Sequence, residues 1–190
     1  MATVNSYTGM VPTPSRTTLD DIVGAAREIL EVDGLAGLTM QAVAERVGVR
    51  APSLYKRVSD RDGLVQLVSE ATIADLGSRL RADPAAGIVE LARVFRAFAQ
   101  ERPAGYQLIM ASGPRPSPEA LALAIEPVLR ATAAVAGPAH ALDAARTMTA
   151  WANGFIGMEL SGSFNLGGDI DAAWEYGLAR LVEALGKPRP

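Results

Sequence analysis

The stretch MQAVAERVGVRAPSLYKRV, residues 40–58, decides the fold of this protein. It holds two short helix-patterned segments separated by Gly48, and Pro52 stands in the first turn of the second segment, where proline is tolerated. Ala44 is small enough for a second helix to pass close by, and Gly48 accepts the left-handed backbone of a sharp turn. These features predict a helix-turn-helix, two short helices crossing at a steep angle. Further apolar residues are expected to seal the angle between them: Val43, Val47, Val49 and Leu54.

Positive charge is concentrated in this part of an otherwise acidic chain. The 190 residues have a formal net charge of −3, from 18 Lys and Arg against 21 Asp and Glu. Between positions 46 and 61, in contrast, Asp60 is the one acid among five cations: Arg46, Arg50, Lys56, Arg57 and Arg61. A locally basic segment in an acidic chain predicts one DNA-facing surface.

The helices around this motif are marked by their caps. Thr18 and Asp21 form a capping box for a first helix, which we expect to end at Gly34, and Thr39 caps the second. The third helix is predicted over about 50–58. Ser59 and Asp62 are then expected to cap a long fourth helix that runs to about Arg81.

The rest of the chain is also patterned for helices. Hydrophobic residues make up 49% of the sequence, mostly alanine and leucine, while strand-type runs are scarce. The predicted fold class is all-α, a helix-turn-helix DNA-binding domain followed by a helical regulatory and dimerisation domain. Residues 1–15 are predicted to be a flexible N-terminal arm, 16–68 the DNA-binding domain, and 69–190 the helical ligand-binding and dimerisation domain. Its helices are predicted at about 86–101, 103–112, 118–136, 139–163 and 170–186.

Over roughly residues 17–68 the sequence resembles the DNA-binding domain of the TetR family of regulators. The resemblance lies in Gly37-Leu38-Thr39, Val43-Ala44, Val47-Gly48-Val49, Pro52-Ser53-Leu54-Tyr55 and the helix start from Asp60 to Leu67. It departs from the family at Lys56, where an aromatic or polar residue is common, and at Arg57, where histidine is frequent. Both replacements add positive charge.

The resemblance implies that the third helix enters the major groove of a double-stranded DNA operator. Residues expected at base edges are Arg50, Ala51, Pro52, Ser53 and Lys56, and those expected at phosphates are Thr39, Tyr55, Arg57 and Arg61. Gln41 is expected near the groove. The donors suit these roles, since Arg and Lys bond guanine and hydroxyls bond phosphate oxygens. Tyr55 has an alternative role as a packing residue.

The second half of the chain contains many large apolar side chains and no cluster of polar residues typical of a catalytic site. Its aromatic and methionine residues fall at helical core spacing and form either an ordinary core or the lining of an adaptable pocket for a small apolar or aromatic effector. The candidate ligand-binding residues are Phe95, Phe98, Tyr106, Met110, Met148, Trp151, Phe155 and Met158. The segment from Asn153 to Leu160 also resembles a stretch of one TetR-type C-terminal domain, which often has histidine where Asn153 stands.

The last two predicted helices carry long apolar stripes. In the resembled family such helices pair with their symmetry mates in a four-helix bundle, which implies a homodimer. The candidate interface residues are Ile156, Leu160, Trp174, Leu178, Leu181 and Leu185. Because one short helix reads few base pairs, two copies about 34–36 Å apart would read a palindrome. The sequence thus predicts a ligand-responsive homodimeric repressor.

Catalytic and metal chemistry lack the residues they need. The chain has no cysteine and one histidine, His140, so no catalytic residue, metal site or cofactor is expected. No run of roughly 20 apolar residues is present and residues 1–15 do not read as a signal, so we expect a cytoplasmic protein without membrane contact. Two alternatives stay open: an enzyme or carrier on a helical scaffold that depends on His140, and an interaction module that has lost DNA binding.

Overall fold

The computed structural model describes residues 17–110 and 116–186, and this part of the chain is helical, without strands. The all-α prediction is confirmed. The predicted arm, residues 1–15, lies outside the described residues. The first helices are α1 (Leu19–Gly37), α2 (Met40–Arg46), α3 (Ala51–Leu54) and α4 (Arg61–Leu80). They are followed by α5 (Ile88–Glu101), α6 (Pro103–Met110), α7 (Pro118–Ala136), a 3-10 turn (Pro138–His140), α8 (Ala141–Leu160) and α9 (Ile170–Leu185).

The start of α1 is capped as predicted. The Asp21 backbone N–H donates to the Thr18 hydroxyl at 3.1 Å, and the Thr18 backbone N–H donates to the Asp21 carboxylate at 2.8 Å. This reciprocal box satisfies donors that the helix itself leaves unpaired. At Gly34 the backbone turns to φ 67°, but helical geometry resumes and α1 ends at Gly37. The predicted end is therefore a break within the helix.

The angle between α2 and α3 is built as the sequence predicts. Gly48 adopts φ 71°, and the Val49 backbone N–H donates to the Ala44 carbonyl at 2.9 Å, which closes the turn. Val43 and Ala44 are buried on the inner side of α2, and Leu54 anchors α3 from the other side. The helix-turn-helix prediction is confirmed.

Two details of this region differ from the prediction. The third helix is shorter than 50–58: regular α3 covers Ala51–Leu54, and residues 55–57 continue as turns. Asp60, rather than Ser59, caps α4, and its carboxylate accepts from the Gly63 backbone N–H at 2.7 Å. A carboxylate directly before the helix suits its positive N-terminal end better than the hydroxyl one residue earlier.

The continuous helix α4 takes part in two separate hydrophobic cores. Leu64, Val65 and Val68 pack with α1, α2 and α3, whereas Ile73, Leu76 and Leu80 pack with α5 and α7–α9. From α6, Leu108 joins the first core. The two cores are therefore joined through one continuous helix.

Candidate nucleic-acid interface and internal cavity

The short helix α3 presents a polar face to solvent. Leu54 is 1% exposed and fixes the helix against the first core, whereas Pro52 and Ser53 on the same helix are exposed. The turns that follow leave Lys56 and Arg57 exposed as well. One buried anchor under a polar segment is the arrangement by which a short helix is held rigidly while its outer side meets a groove.

The cations that flank α3 have no acidic partners among the described residues, whereas most other arginines of the described chain do. Nine of the described arginines form ion pairs with Asp or Glu: Arg27, Arg46, Arg79, Arg93, Arg96, Arg102, Arg130, Arg146 and Arg180. Arg50, Lys56 and Arg57 form none with any described residue. We call these three residues, together with Tyr55, the cationic surface. Unneutralised charge collected in one place is what phosphate binding requires.

Three acids among the first four helices have partners outside the cationic surface. Asp60 caps α4, and Glu28 pairs with Arg46 at 3.0 Å. Glu45 accepts from the Gln41 side chain at 2.5 Å. Of these three acids, Glu28 is the one paired with a cation.

Three predicted DNA contacts have structural partners within the chain. The Thr39 hydroxyl caps α2 by accepting from the Ala42 backbone N–H at 3.1 Å. The guanidinium of Arg61 donates to the carbonyl oxygens of Leu38 at 2.9 Å and Leu35 at 2.6 Å, where it holds the α1–α2 connection against α4. The third residue, Gln41, donates to Glu45 as described above. All three residues are nevertheless exposed to solvent.

Tyr55 and Ala51 differ in burial. Tyr55 is 55% exposed, so about half of its surface is open to solvent. Ala51 is partly buried and packs against the first core. Arg50 stands exposed at the N-cap of α3, without a side-chain hydrogen bond to the helix. The contacts of these residues with DNA stay predictions.

A cavity of about 590 Å³ lies within the second half of the chain. It is formed by the second half of α4 together with α5, α6, α7 and α8 and is open to solvent on the side of Met110, Leu121 and Ile125, and its volume is in the range of small-molecule sites. The described lining residues are Ile73, Leu76, Leu80, Ile88, Leu91, Ala92, Phe95, Met110, Pro118, Leu121, Ala122, Ala124, Ile125, Val128, Met148, Thr149 and Ala152.

Three of the predicted ligand-binding residues line this cavity: Phe95, Met110 and Met148. The other five candidate residues do not line this cavity. Phe98 is fully buried between helices, and Met158 is 46% exposed on the outside of α8. Helical spacing placed these residues on apolar stripes, but it did not separate core, cavity and surface.

Tyr106, Trp151 and Phe155, also predicted to bind ligand, have other roles. The Tyr106 hydroxyl donates to the Asn153 side chain at 2.7 Å, and burial raises the pKa of this hydroxyl to about 12. This bond gives Asn153 a structural role. Trp151 and Phe155 pack with Trp174 at ring-centroid distances of 4.7 and 5.2 Å, which ties α8 to α9.

The candidate dimer residues lie at different depths in the single chain. Ile156, Trp174 and Leu178 are at most 1% exposed in the single chain and therefore have no surface to offer a partner. Leu160, Leu181 and Leu185 are partly buried against the same core. The large apolar side chains exposed on these two helices are Leu142, Met158 and Tyr176.

A buried ion cluster that sequence reasoning missed holds α9 in place. Arg96 is 8% exposed and donates to both oxygens of Glu159, at 2.9 and 2.6 Å. It also pairs with Asp171 at 2.7 Å, and its guanidinium lies 5.1 Å from the Trp174 ring centroid. An arginine within the apolar pattern of α5 was the available signal, but its partners lie far away in sequence.

Contacts between α1 and the second half of the chain were also not predicted. The Glu31 carboxylate accepts from the backbone N–H groups of Ala104 at 3.0 Å and Gly105 at 2.9 Å, in the first turn of α6. Arg27, also on α1, pairs with Asp75 on α4. The last residue of α6, Met110, lines the cavity. These contacts connect the cavity with the helix-turn-helix.

His140 is exposed in the 3-10 turn before α8. Within residues 17–110 and 116–186, no group of three or more His, Asp or Glu side chains is placed to hold a metal ion. Among the helices described, none has the length and apolarity of a bilayer span.

These features define a class of protein, in which a helix-turn-helix DNA-binding unit is joined to a helical domain around an apolar cavity. Two family models match the sequence: one for bacterial regulatory proteins of the tetR family at residues 16–68, and one for the tetracyclin repressor-like C-terminal domain at residues 88–181. The chain belongs to the TetR family of DNA-binding transcriptional regulators, which is not a family of enzymes.

Similarity to curated relatives is confined to part of their length. The tetracycline repressor protein class E of Escherichia coli is 35% identical over 60 residues, 32% of this chain and 28% of that protein. An HTH-type transcriptional regulator of Saccharopolyspora erythraea is 37% identical over 83 residues, 40% of this chain and 35% of the relative. The chain thus spans about a third of the length of these two relatives.

Solved structures match over nearly the whole chain. Mycobacterium smegmatis BioQ has 26% identity and a TM-score of 0.66, covering 90% of this chain and 98% of that one. A TetR variant of Acinetobacter baumannii AYE, solved in complex with minocycline, has 24% identity and a TM-score of 0.67, covering 89% and 96%. At that identity the second likeness shows the fold alone.

Proposed function

We propose that the protein is a homodimeric repressor that binds a palindromic operator and releases it when a small effector enters the cavity. The observation that carries this proposal is the cationic surface, in which Arg50, Lys56 and Arg57 are exposed and have no acidic partner among the described residues. The TetR family supplies the class of activity. Repression, the palindrome and effector release are the proposed specifics.

On the DNA, the exposed side of α3 would face the major groove. Arg50, Ala51, Pro52, Ser53 and Lys56 would lie at base edges, where Arg and Lys donate to guanine. Tyr55 and Arg57 would contact phosphates and fix the orientation. Thr39, Gln41 and Arg61 are proposed as further contacts at the edge of the interface.

Effector binding would act on DNA affinity through α4 and α6. Three cavity residues, Ile73, Leu76 and Leu80, belong to α4, whose first half packs under the helix-turn-helix. Met110 lines the cavity at one end of α6, and Glu31 of α1 holds the other end. A ligand that prefers a different helix arrangement lowers operator affinity by its differential binding to the two states.

The dimer is proposed to form through the outer sides of α8 and α9. Met158 and Tyr176 are 46% and 71% exposed there, next to the exposed Gly154 and Gly157 of α8, which permit close helix approach. Tyr176→Glu should shift the molar mass measured by light scattering from dimer toward monomer. Leu123→Glu, at a comparably exposed apolar residue of α7, should leave the dimer intact.

DNA binding is tested by selection from a random duplex pool followed by titration at several salt concentrations. The chain should select a palindrome, and Arg57→Ala, which removes one proposed phosphate contact from each subunit, should reduce the dimer's slope of log affinity against log salt by roughly 2. Arg130→Ala, which removes an exposed cation of α7, is the matched control. Absence of any salt-sensitive sequence preference would refute the proposal.

A further inference from the structure

The cavity differs from most ligand sites in how little polarity its walls contain. The lining residues described above come from α4, α5, α6, α7 and α8, and none of them is charged. Most pockets contain several polar groups that fix a ligand's orientation. Here Thr149 supplies the one polar side chain among the described lining residues.

The Thr149 hydroxyl is available to a ligand. Thr149 is partly buried on α8 at the cavity wall, and its hydroxyl forms no hydrogen bond with a described residue. Other threonines in helices behave differently: the hydroxyls of Thr72 and Thr147 each donate to the carbonyl four residues earlier, at 2.7 and 2.8 Å. Thr149 therefore carries an unused donor and acceptor on a residue of the cavity wall.

We infer that the cavity selects uncharged organic molecules and bonds their single polar group through Thr149. A carboxylate or ammonium group that reached the buried part of the cavity, beside Leu76 and Met148, would lose its water and find no opposite charge among the described lining residues, which strongly disfavours binding. A hydroxyl or the uncharged N–H of a diarylamine would instead find one partner in the Thr149 hydroxyl while the carbon skeleton contacts the apolar wall. The inference gives the chemical class of the effector and so rests on the proposed effector response.

A matched pair of fluorescent probes tests the charge selection. N-phenyl-1-naphthylamine is neutral, and its 8-sulfonate has the same skeleton with one negative charge. The neutral probe should bind at least about 100-fold more tightly, because burying an unpaired ion costs several powers of ten in affinity. Ala122→Trp, at an exposed lining residue, should abolish binding of the neutral probe, whereas Ala97→Trp on the outside of α5 should not.

An eight-carbon series then separates the two signs of charge. 1-Octanol should displace the bound neutral probe, and octanoate and octylammonium should not do so at concentrations about 100-fold higher. The isosteric variant Thr149→Val should weaken 1-octanol by about fivefold through loss of one hydrogen bond. It should leave n-butylbenzene, which has no polar group, unchanged.

The inference is overturned if octanoate, octylammonium or the sulfonated probe occupies the cavity as tightly as its neutral counterpart, or if no neutral probe binds. It is also overturned if Thr149→Val weakens 1-octanol and n-butylbenzene equally. These readouts contain no DNA. If neutral probes bind as expected but operator affinity does not change, the selection for uncharged molecules stands and the proposed effector response fails.

Discussion

The carboxylate of Glu31 in α1 accepts a hydrogen bond from the backbone N–H of Gly105 in α6, at 2.9 Å and across 74 positions of sequence. Its other oxygen accepts from Ala104 at 3.0 Å. Two N–H groups at the start of a helix are thereby satisfied by a residue of the DNA-binding region, and the negative charge also suits the positive end of α6.

Replacing Glu31 should therefore weaken the joint between the two parts of the protein. Glu31→Ala leaves two N–H groups without their acceptor and should lower the free energy of unfolding by about 1–2 kcal/mol in urea titrations. Glu28→Ala, which breaks an exposed pair with Arg46 on the same helix, should cost less than about 0.5 kcal/mol. Equal losses in the two variants would contradict this role for Glu31.

Loss of Glu159 should destabilise the protein in a pH-dependent way. The hydrogen bond from Arg96 holds the pKa of the Glu159 carboxyl below its usual value of 4.5. Glu159→Gln should cost roughly 2 kcal/mol at pH 7, because the Arg96 guanidinium is left without its main counter-charge in a largely buried place. A carboxyl with a lowered folded-state pKa contributes its stability above the unfolded-state pKa and loses it as pH falls through the folded-state value.

The cost of Glu159→Gln should consequently shrink as unfolding is measured at successively lower pH below about 4.5. Glu126→Gln breaks an exposed pair with Arg130 and provides the control, with an effect below about 0.5 kcal/mol throughout. A cost that stays constant down to the acid transition would show that packing, not charge, explains the effect of Glu159.

Removing the Tyr55 hydroxyl should affect DNA binding and leave stability unchanged. Its ring is 55% exposed, so Tyr55→Phe should not alter the free energy of unfolding measurably. Operator affinity should fall by roughly fivefold if the hydroxyl bonds a phosphate. Leu123→Ala, at a residue of α7 that is 59% exposed, should leave DNA affinity unchanged. Destabilisation by Tyr55→Phe would instead support the packing alternative.

Two glycine substitutions should change stability in opposite directions. Gly48 has φ 71°, so Gly48→Ala should cost about 1–2 kcal/mol from backbone strain, although no atom would obstruct the added methyl group. Gly24 lies inside α1 with equally open space, and Gly24→Ala should raise stability by up to about 1 kcal/mol. Thermal unfolding of both variants measures the difference. A neutral Gly48→Ala would mean that the turn relaxes without strain.

The helix-turn-helix was predictable because its requirements are local. Ala44, Gly48 and Leu54 meet steric demands imposed by residues a few positions away, and Thr18 and Asp21 cap α1 within one turn. Local competition also explains the error at α4, where Ser59 and Asp60 were both plausible caps. The nearer side chain, Asp60, reaches the free N–H groups.

The candidate ligand and dimer residues were predicted less well for a different physical reason. An apolar stripe shows that a helix side is buried, but not whether it meets a core, a cavity or a partner. Phe95 lines the cavity while Phe98, one turn along α5, lies wholly in the core. The opposite outcomes for two phenylalanines of one helix depend on how α6, α7 and α8 pack around them.

The sequence by itself determined the helical class, the helix-turn-helix and the position of the cationic surface, since periodicity, caps and turn chemistry act within a few residues. The tertiary structure alone decided which apolar side chains enclose the cavity and which distant polar groups meet. Arg96 bonds to Glu159, 63 positions away in the sequence, and Glu31 bonds to Gly105, 74 positions away. Contacts over such separations are set by the packing of whole helices, which no local pattern specifies.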